Sequence, residues 1–222
     1  MGCQEANCAP GLSEKHVLAV SYNVDGDVRF ISHHDTLRMF RRALARAGIP
    51  VRFSEGFNPH PRLNIPLPRP VGVASGAELL VVELSKPVET DEAHARLSRH
   101  LPKGIRLTGV RKIEAGERPN ALEARYQLDT GDSPADHLAV RVRHILESDV
   151  VEVERFNPKK GPRRMINVRP YVKEMHLAGQ TVVFTLLITR SGTAKPAEIA
   201  ALLGYNPDSI NHRIRRMEVR WQ

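Results

Sequence analysis

Cysteine is nearly absent: Cys3 and Cys8 are the only thiols in 222 residues. Two thiols so close to the start cannot supply the ligands of a zinc site or an iron–sulfur cluster by themselves. Long apolar runs are missing too, and none approaches the roughly 20 residues needed to span a bilayer. The opening stretch, MGCQEANCAPGLSEK, lacks the basic region followed by apolar residues that marks a secretory signal. Residues 1–14 are therefore expected to form a disordered leader, the protein to be cytoplasmic, and no membrane to be among its partners. No P-loop, dinucleotide-binding glycine fingerprint or GxSxG elbow occurs.

What is plentiful is positive charge. Lysine and arginine number 33 against 25 aspartates and glutamates, a net charge of +8. Such a surface attracts phosphate backbones by releasing their condensed counterions, which makes RNA or DNA a natural partner.

The chain divides into two halves of similar length. In the first, the β-rich run His16–Val24 ends at Asp25-Gly26-Asp27, and a short apolar stretch, Val28–Ile31, follows. Ser32-His33-His34-Asp35 then opens a helix in which Leu37, Phe40, Leu44 and Ala47 recur at helical spacing. Gly48 and Pro50 end it. A proline-rich passage from Ser54 to Pro70 is expected to be extended or turned. Glu78–Leu84 reads as a buried strand, Asp91–Leu101 as a helix and Ile105–Ile113 as a closing strand.

The second half loosely repeats that order, with strands over Leu122–Thr130, Val150–Phe156 and Ile210–Trp221. Helices are expected after Ser133 and over Pro196–Leu203, and a hairpin pairs Val172–Leu177 with Thr181–Thr189. The expected fold is α+β: two ferredoxin-like βαββαβ halves in tandem, 15–115 and 121–222, joined near Gly116–Asn120.

Four constellations could carry chemistry. Ser32 and Asp35 have the spacing of a helix cap, yet Ser32, His33 and Asp35 are also hydrogen-bonding or proton-transfer groups, and both readings can hold. Arg38, Arg42 and Arg46 recur every fourth residue and could grip phosphates, or form a solvated face. In Gly56-Phe57-Asn58-Pro59-His60-Pro61 two prolines stiffen a loop that carries Asn58 and His60, as suits a pre-organised site. Lys159, Lys160, Arg163 and Arg164 flank Gly161-Pro162 in a basic loop, a second candidate for phosphate contact. Nothing forces His33, His34, Asp35 and His60 together as metal ligands, so neither metal nor cofactor is expected.

The segment RFISHHDTLRMFRRALARAGIPVRFSEGFNPHPRLNIPLPRPVGVASGAE resembles the core of the radical SAM-linked protein family, a domain of unknown function found alone or fused behind cobalamin-binding-type radical SAM proteins. The pattern is similar at Phe30, Ser32, His33, Asp35, Arg42, Gly56–Pro61, Gly72, Ser75 and Glu78, and differs at His34, where the family is more often apolar. The chain has no CxxxCxxC motif with which to generate a radical. The resemblance implies a stand-alone accessory unit whose radical SAM enzyme is a separate chain.

On that expectation Ser32, His33, Asp35, Gly56, Phe57, Asn58, His60, Ser75 and Glu78 bind a substrate, with RNA favoured, and the arginines hold its phosphates. Two alternatives stay open. One is a protein–protein adaptor without nucleic acid. The other is a metal-independent RNA-processing nuclease with His33, His60 or Asp35 as acid or base, which rests on analogy of fold alone.

Overall fold

Alternation of apolar and polar residues in the strand runs, and the helical spacing between them, yields a mixed α+β architecture of ten strands and four α-helices among the described residues. The structure is a computed structural model in which residues 16–114, 116–157 and 161–222 are described. In the first half β1 (His16–Val24), α1 (His33–Arg46), β2 (Leu63–Asn64), β3 (Ala74–Leu84), α2 (Thr90–Ser98) and β4 (Ile105–Ile113) follow one another. The second half contains β5 (Ala121–Asp129), α3 (Ala135–Glu147), β6 (Glu152–Asn157), β7 (Gly161–Asn167), β8 (Val172–Ala178), β9 (Thr181–Leu187), α4 (Pro196–Leu202) and β10 (Ile214–Trp221).

Eight strands share one sheet, ordered β4-β1-β3-β10-β5-β9-β8, with β2 added beside β3. Within each half all neighbours are antiparallel. The halves meet where β10 runs parallel to the start of β3, pairing Arg215 with Ala74 and Arg216 with Ser75. Among the described residues no helix is long and apolar enough to cross a membrane.

Each half has its own core. Phe40 and Leu44 of α1 and Leu97 of α2 pack on Leu18, Val20, Leu80 and Val82 of the sheet. Leu138 and Ile145 of α3 and Ile199 of α4 pack on Leu128, Val182, Phe184 and Leu186. Trp221, at the end of β10, packs against the second-half core and against a small cluster of Val17, Ala19, Leu79 and Ile113 in the first half.

Three local readings of the sequence are corrected. The closing strand expected from Ile210 begins at Ile214, after a 3-10 turn over Ile210–Arg213, and Gly26–Phe30 is likewise a 3-10 turn. The strand expected from Glu78 begins at Ala74, because β10 supplies a partner for those first residues. The basic segment holding Arg163 and Arg164 lies in β7, paired with β6, where Arg164 stands opposite Arg155. Val153 and Ile166, paired across that ribbon, turn onto the second-half core, so burial holds as strand what charge alone marks as loop.

Candidate functional site

The first turn of α1 is built by its cap. The Ser32 hydroxyl oxygen accepts from the Asp35 amide at 3.1 Å and donates to the Asp35 carboxylate at 2.7 Å, and the Thr36 hydroxyl donates to the Ser32 carbonyl at 2.9 Å. Asp35 also sits at the positive end of the helix dipole. The C-terminal end is clamped from α2: Arg96 donates to the Ala47 carbonyl at 2.8 Å and to the Gly48 carbonyl at 2.6 Å. Gly48 has φ +61, a backbone conformation that favours glycine, and a Cβ there would press on the Arg96 guanidinium at 2.8 Å.

With the apolar stripe buried, the arginine row faces outward over an open cleft of 660 Å³. Arg38, Arg42 and Arg46 line one wall; Arg99 and His100, from the turn after α2, line the other. Ile31, Met39 and Leu101 add apolar surface. Arg46 donates to the His100 carbonyl at 2.8 Å, which fixes the two walls relative to each other. Asp35 is the one carboxylate in the lining, 3.5 Å from Arg38. Among the described residues no ion pair neutralises Arg42 or Arg99. Cations gathered around a cleft in this way suit a polyanion.

The Gly56–Pro61 loop is a closed hairpin tip. Its stem is held by the Ser54 amide donating to the His60 carbonyl at 2.8 Å, the His60 amide donating to the Ser54 hydroxyl at 2.9 Å, and an antiparallel bridge between Phe53 and Pro61. Phe57 is fully exposed at the tip, and Asn58 and His60 are exposed beside it. Among the described residues, no hydrogen bond joins Asn58 or His60 to Ser32, His33 or Asp35.

His33 instead borders a small space of 10 Å³ lined by Tyr22, Thr36, Ile65, Arg69 and Glu78. Burial, then the neighbouring His34, holds the His33 imidazole below its ordinary 6.5. Burial, reinforced by Glu78, pushes the Tyr22 hydroxyl above the usual tyrosine range.

Glu78 and Ser75, expected on the substrate surface, are corrected to the interior: Glu78 is 3% exposed and Ser75 is fully buried. The Glu78 carboxylate accepts from Arg216 at 2.8 Å, and Arg216, 1% exposed, also donates to the Tyr126 hydroxyl and to the carbonyls of Leu67 and Pro68, each at 3.2 Å. Burial opposes the Arg216 charge, but Glu78 and then Tyr126 more than offset it and raise its pKa. The Ser75 hydroxyl accepts from the Ala77 amide at 3.2 Å. These two residues join the halves.

Arg163 and Arg164 are exposed on β7, and Arg163 pairs with Glu154 at 2.9 Å. Lys159, Lys160, Cys3 and Cys8 lie outside the described residues. Among the described residues no three His, Cys, Asp or Glu side chains gather as a metal site. Sequence reading missed Arg99, His100 and Arg216. The first two lack any periodic signal, and the last is one arginine among many in a β-rich run.

The fold and cleft define an α+β protein with a cationic groove between the first two helices and a buried ion pair between its halves. Residues 18–196 match the family described as "Uncharacterized protein conserved in bacteria (DUF2344)", and the chain belongs to it. No curated protein matches the chain. Among solved structures it is similar to a chain in the crystal structure of a Cbf5-Nop10-Gar1 complex, at TM-score 0.36 and 10% identity, over 92% of this chain and 48% of that one. It is also similar to an unknown protein from Galdieria sulphuraria, at TM-score 0.28 and 14% identity, over 86% of this chain and 90% of that one. The chain thus spans about half the length of the first of these. Neither likeness is close enough to extend fold or function beyond what the geometry gives.

Proposed function

We propose that this protein is a cytoplasmic accessory unit that holds RNA by its phosphates in the α1 cleft, for modification by a radical SAM enzyme in a separate chain. One observation carries the RNA reading: Arg38, Arg42 and Arg46 face Arg99 and His100 across an open groove with a single carboxylate in its lining. The radical SAM partner is supported only by the motif resemblance, from Phe30 to Glu78. We read the halves as tandem ferredoxin-like units, supported by the matching strand orders β4-β1-β3-β2 and β10-β5-β9-β8.

Binding of an unstructured oligoribonucleotide, followed by anisotropy between low and moderate salt, tests the reading. Three to five arginine–phosphate contacts would give a logarithmic salt slope of about −2 to −3.5. Arg42→Ala should weaken binding and lower the slope magnitude by roughly 0.7. Affinity indifferent to salt, or no binding at all, sinks the RNA reading. Co-purification from a source that carries the radical SAM chain tests the partner.

A second reading, a protein adaptor, is favoured by Phe57, a fully exposed aromatic on a stiff hairpin tip. Retention of a radical SAM protein, lost on Phe57→Ser and indifferent to ribonuclease, would favour it.

A further inference from the structure

We propose that a strand held in the α1 cleft continues across the 3-10 turn Gly26–Phe30 into a second basic cleft between the halves, so that single-stranded nucleic acid spans both. This rests on the α1 cleft being a phosphate site. The second cleft, of 220 Å³, is lined by Arg29, Gln127, Asp129, His212, Arg213 and Arg215. Arg215 is paired with Asp25, whereas Arg213 is exposed and has no ion pair among the described residues.

The turn is the wall between the clefts. Val28 lines the first and its neighbour Arg29 lines the second. Next to them Phe30 is 52% exposed, with the Arg29 guanidinium 5.0 Å from its ring centre. The turn is anchored: Arg29 donates to the His212 carbonyl at 3.2 Å, and its own carbonyl accepts from Arg69 at 2.7 Å and from the Gly72 amide at 2.8 Å.

An aromatic face fixed between two cationic clefts supplies what a single strand requires, a surface on which a base stacks and cations on either side for the backbone. A duplex offers no free base face there. An acidic peptide would satisfy the arginines but makes no use of the ring.

The test uses the full chain and labelled, unstructured oligoribonucleotides of two lengths. The row Arg38–Arg46 covers about 12 Å, or about four nucleotides at the stacked rise of about 3.4 Å. A 4-mer of about that span therefore fills the α1 cleft alone, and an oligomer of about 12 nucleotides reaches the second. Arg42→Ala should weaken both lengths. Phe30→Leu and Arg213→Ala should each weaken the long oligomer about fivefold or more and leave the short one unchanged, and Arg213→Ala alone should reduce the salt slope of the long one.

Circular dichroism shows that each variant is folded before its binding to the two lengths is compared. Arg42 dependence with no length dependence, or with neither Phe30 nor Arg213 mattering, overturns the continuous path and leaves the α1 reading intact. Preference for duplex, or loss of both lengths together in the Phe30 and Arg213 variants, also overturns it. Absence of RNA binding in the parent protein, or binding of an acidic peptide where RNA does not bind, overturns both proposals.

Discussion

The Glu78–Arg216 pair shows how a single residue joins the two halves. A buried ion pair adds little beyond a well-packed apolar pair, but removing one partner strands a charge at a cost of about 3–5 kcal/mol. Arg216→Ala should therefore lower the melting temperature by roughly 6–20 °C, measured by circular dichroism. Replacing both residues, Glu78→Leu with Arg216→Met, should recover much of that loss; a double variant as unstable as the single one would contradict this account. His33 offers a milder test. Burial, then His34, lowers its pKa from 6.5, so the folded state binds fewer protons than the unfolded one. The associated stability is present above the unfolded value and is lost as pH falls through the lowered one. In an NMR titration His33 should have a midpoint below 6.5. His34→Gln should move it upward without restoring the ordinary value, because burial is the larger cause.

Among the elements, α1 was the most legible. Its cap, its stop at Gly48 and its buried residues Phe40 and Leu44 follow from spacing alone. The cap makes a prediction of its own: Ser32→Ala removes the acceptor for the Asp35 amide and should cost about 1 kcal/mol, or about 2–4 °C in melting temperature. It should leave the salt slope for RNA unchanged, because the arginine row starts beyond the first turn; a reduced slope would mean that Ser32 itself meets the ligand. The polar face of α1 was readable in the same periodicity, but the opposing wall was not. Arg99 and His100 reach the cleft only through the packing of α2 on β4, more than 50 residues along the chain. The Gly56–Pro61 loop closes as a hairpin tip, yet no hydrogen bond among the described residues ties it to the start of α1. Rigidity is written in local residues, whereas convergence depends on how distant segments pack. Ser75 and Glu78 were not legible as interior residues for the same reason: their partners are the Ala77 amide and Arg216, and the second comes from the far end of the chain.

At the scale of the whole molecule, the two cores are separate but the sheet that backs them is continuous. Only two residue pairs of β3 and β10 carry the parallel seam, yet the seam also holds the buried Arg216, the Asp25–Arg215 ion pair and Trp221. β10 is a full partner of β5 and so belongs to the second half, while Arg216 covers the Glu78 carboxylate of the first. Loss of either half would strip the other of a strand partner or leave a buried charge unpaired, so the halves should unfold as one cooperative unit. Native-state hydrogen exchange can read this directly, because β1 lies central to the first half and β9 to the second. Their slowest amides should exchange with a common free energy, and Arg216→Ala should lower both by the same amount. If protection falls in β1 while β9 keeps its own, the seam is a contact between independent domains, and a binding surface laid across it would have to pay for their alignment each time a ligand arrives.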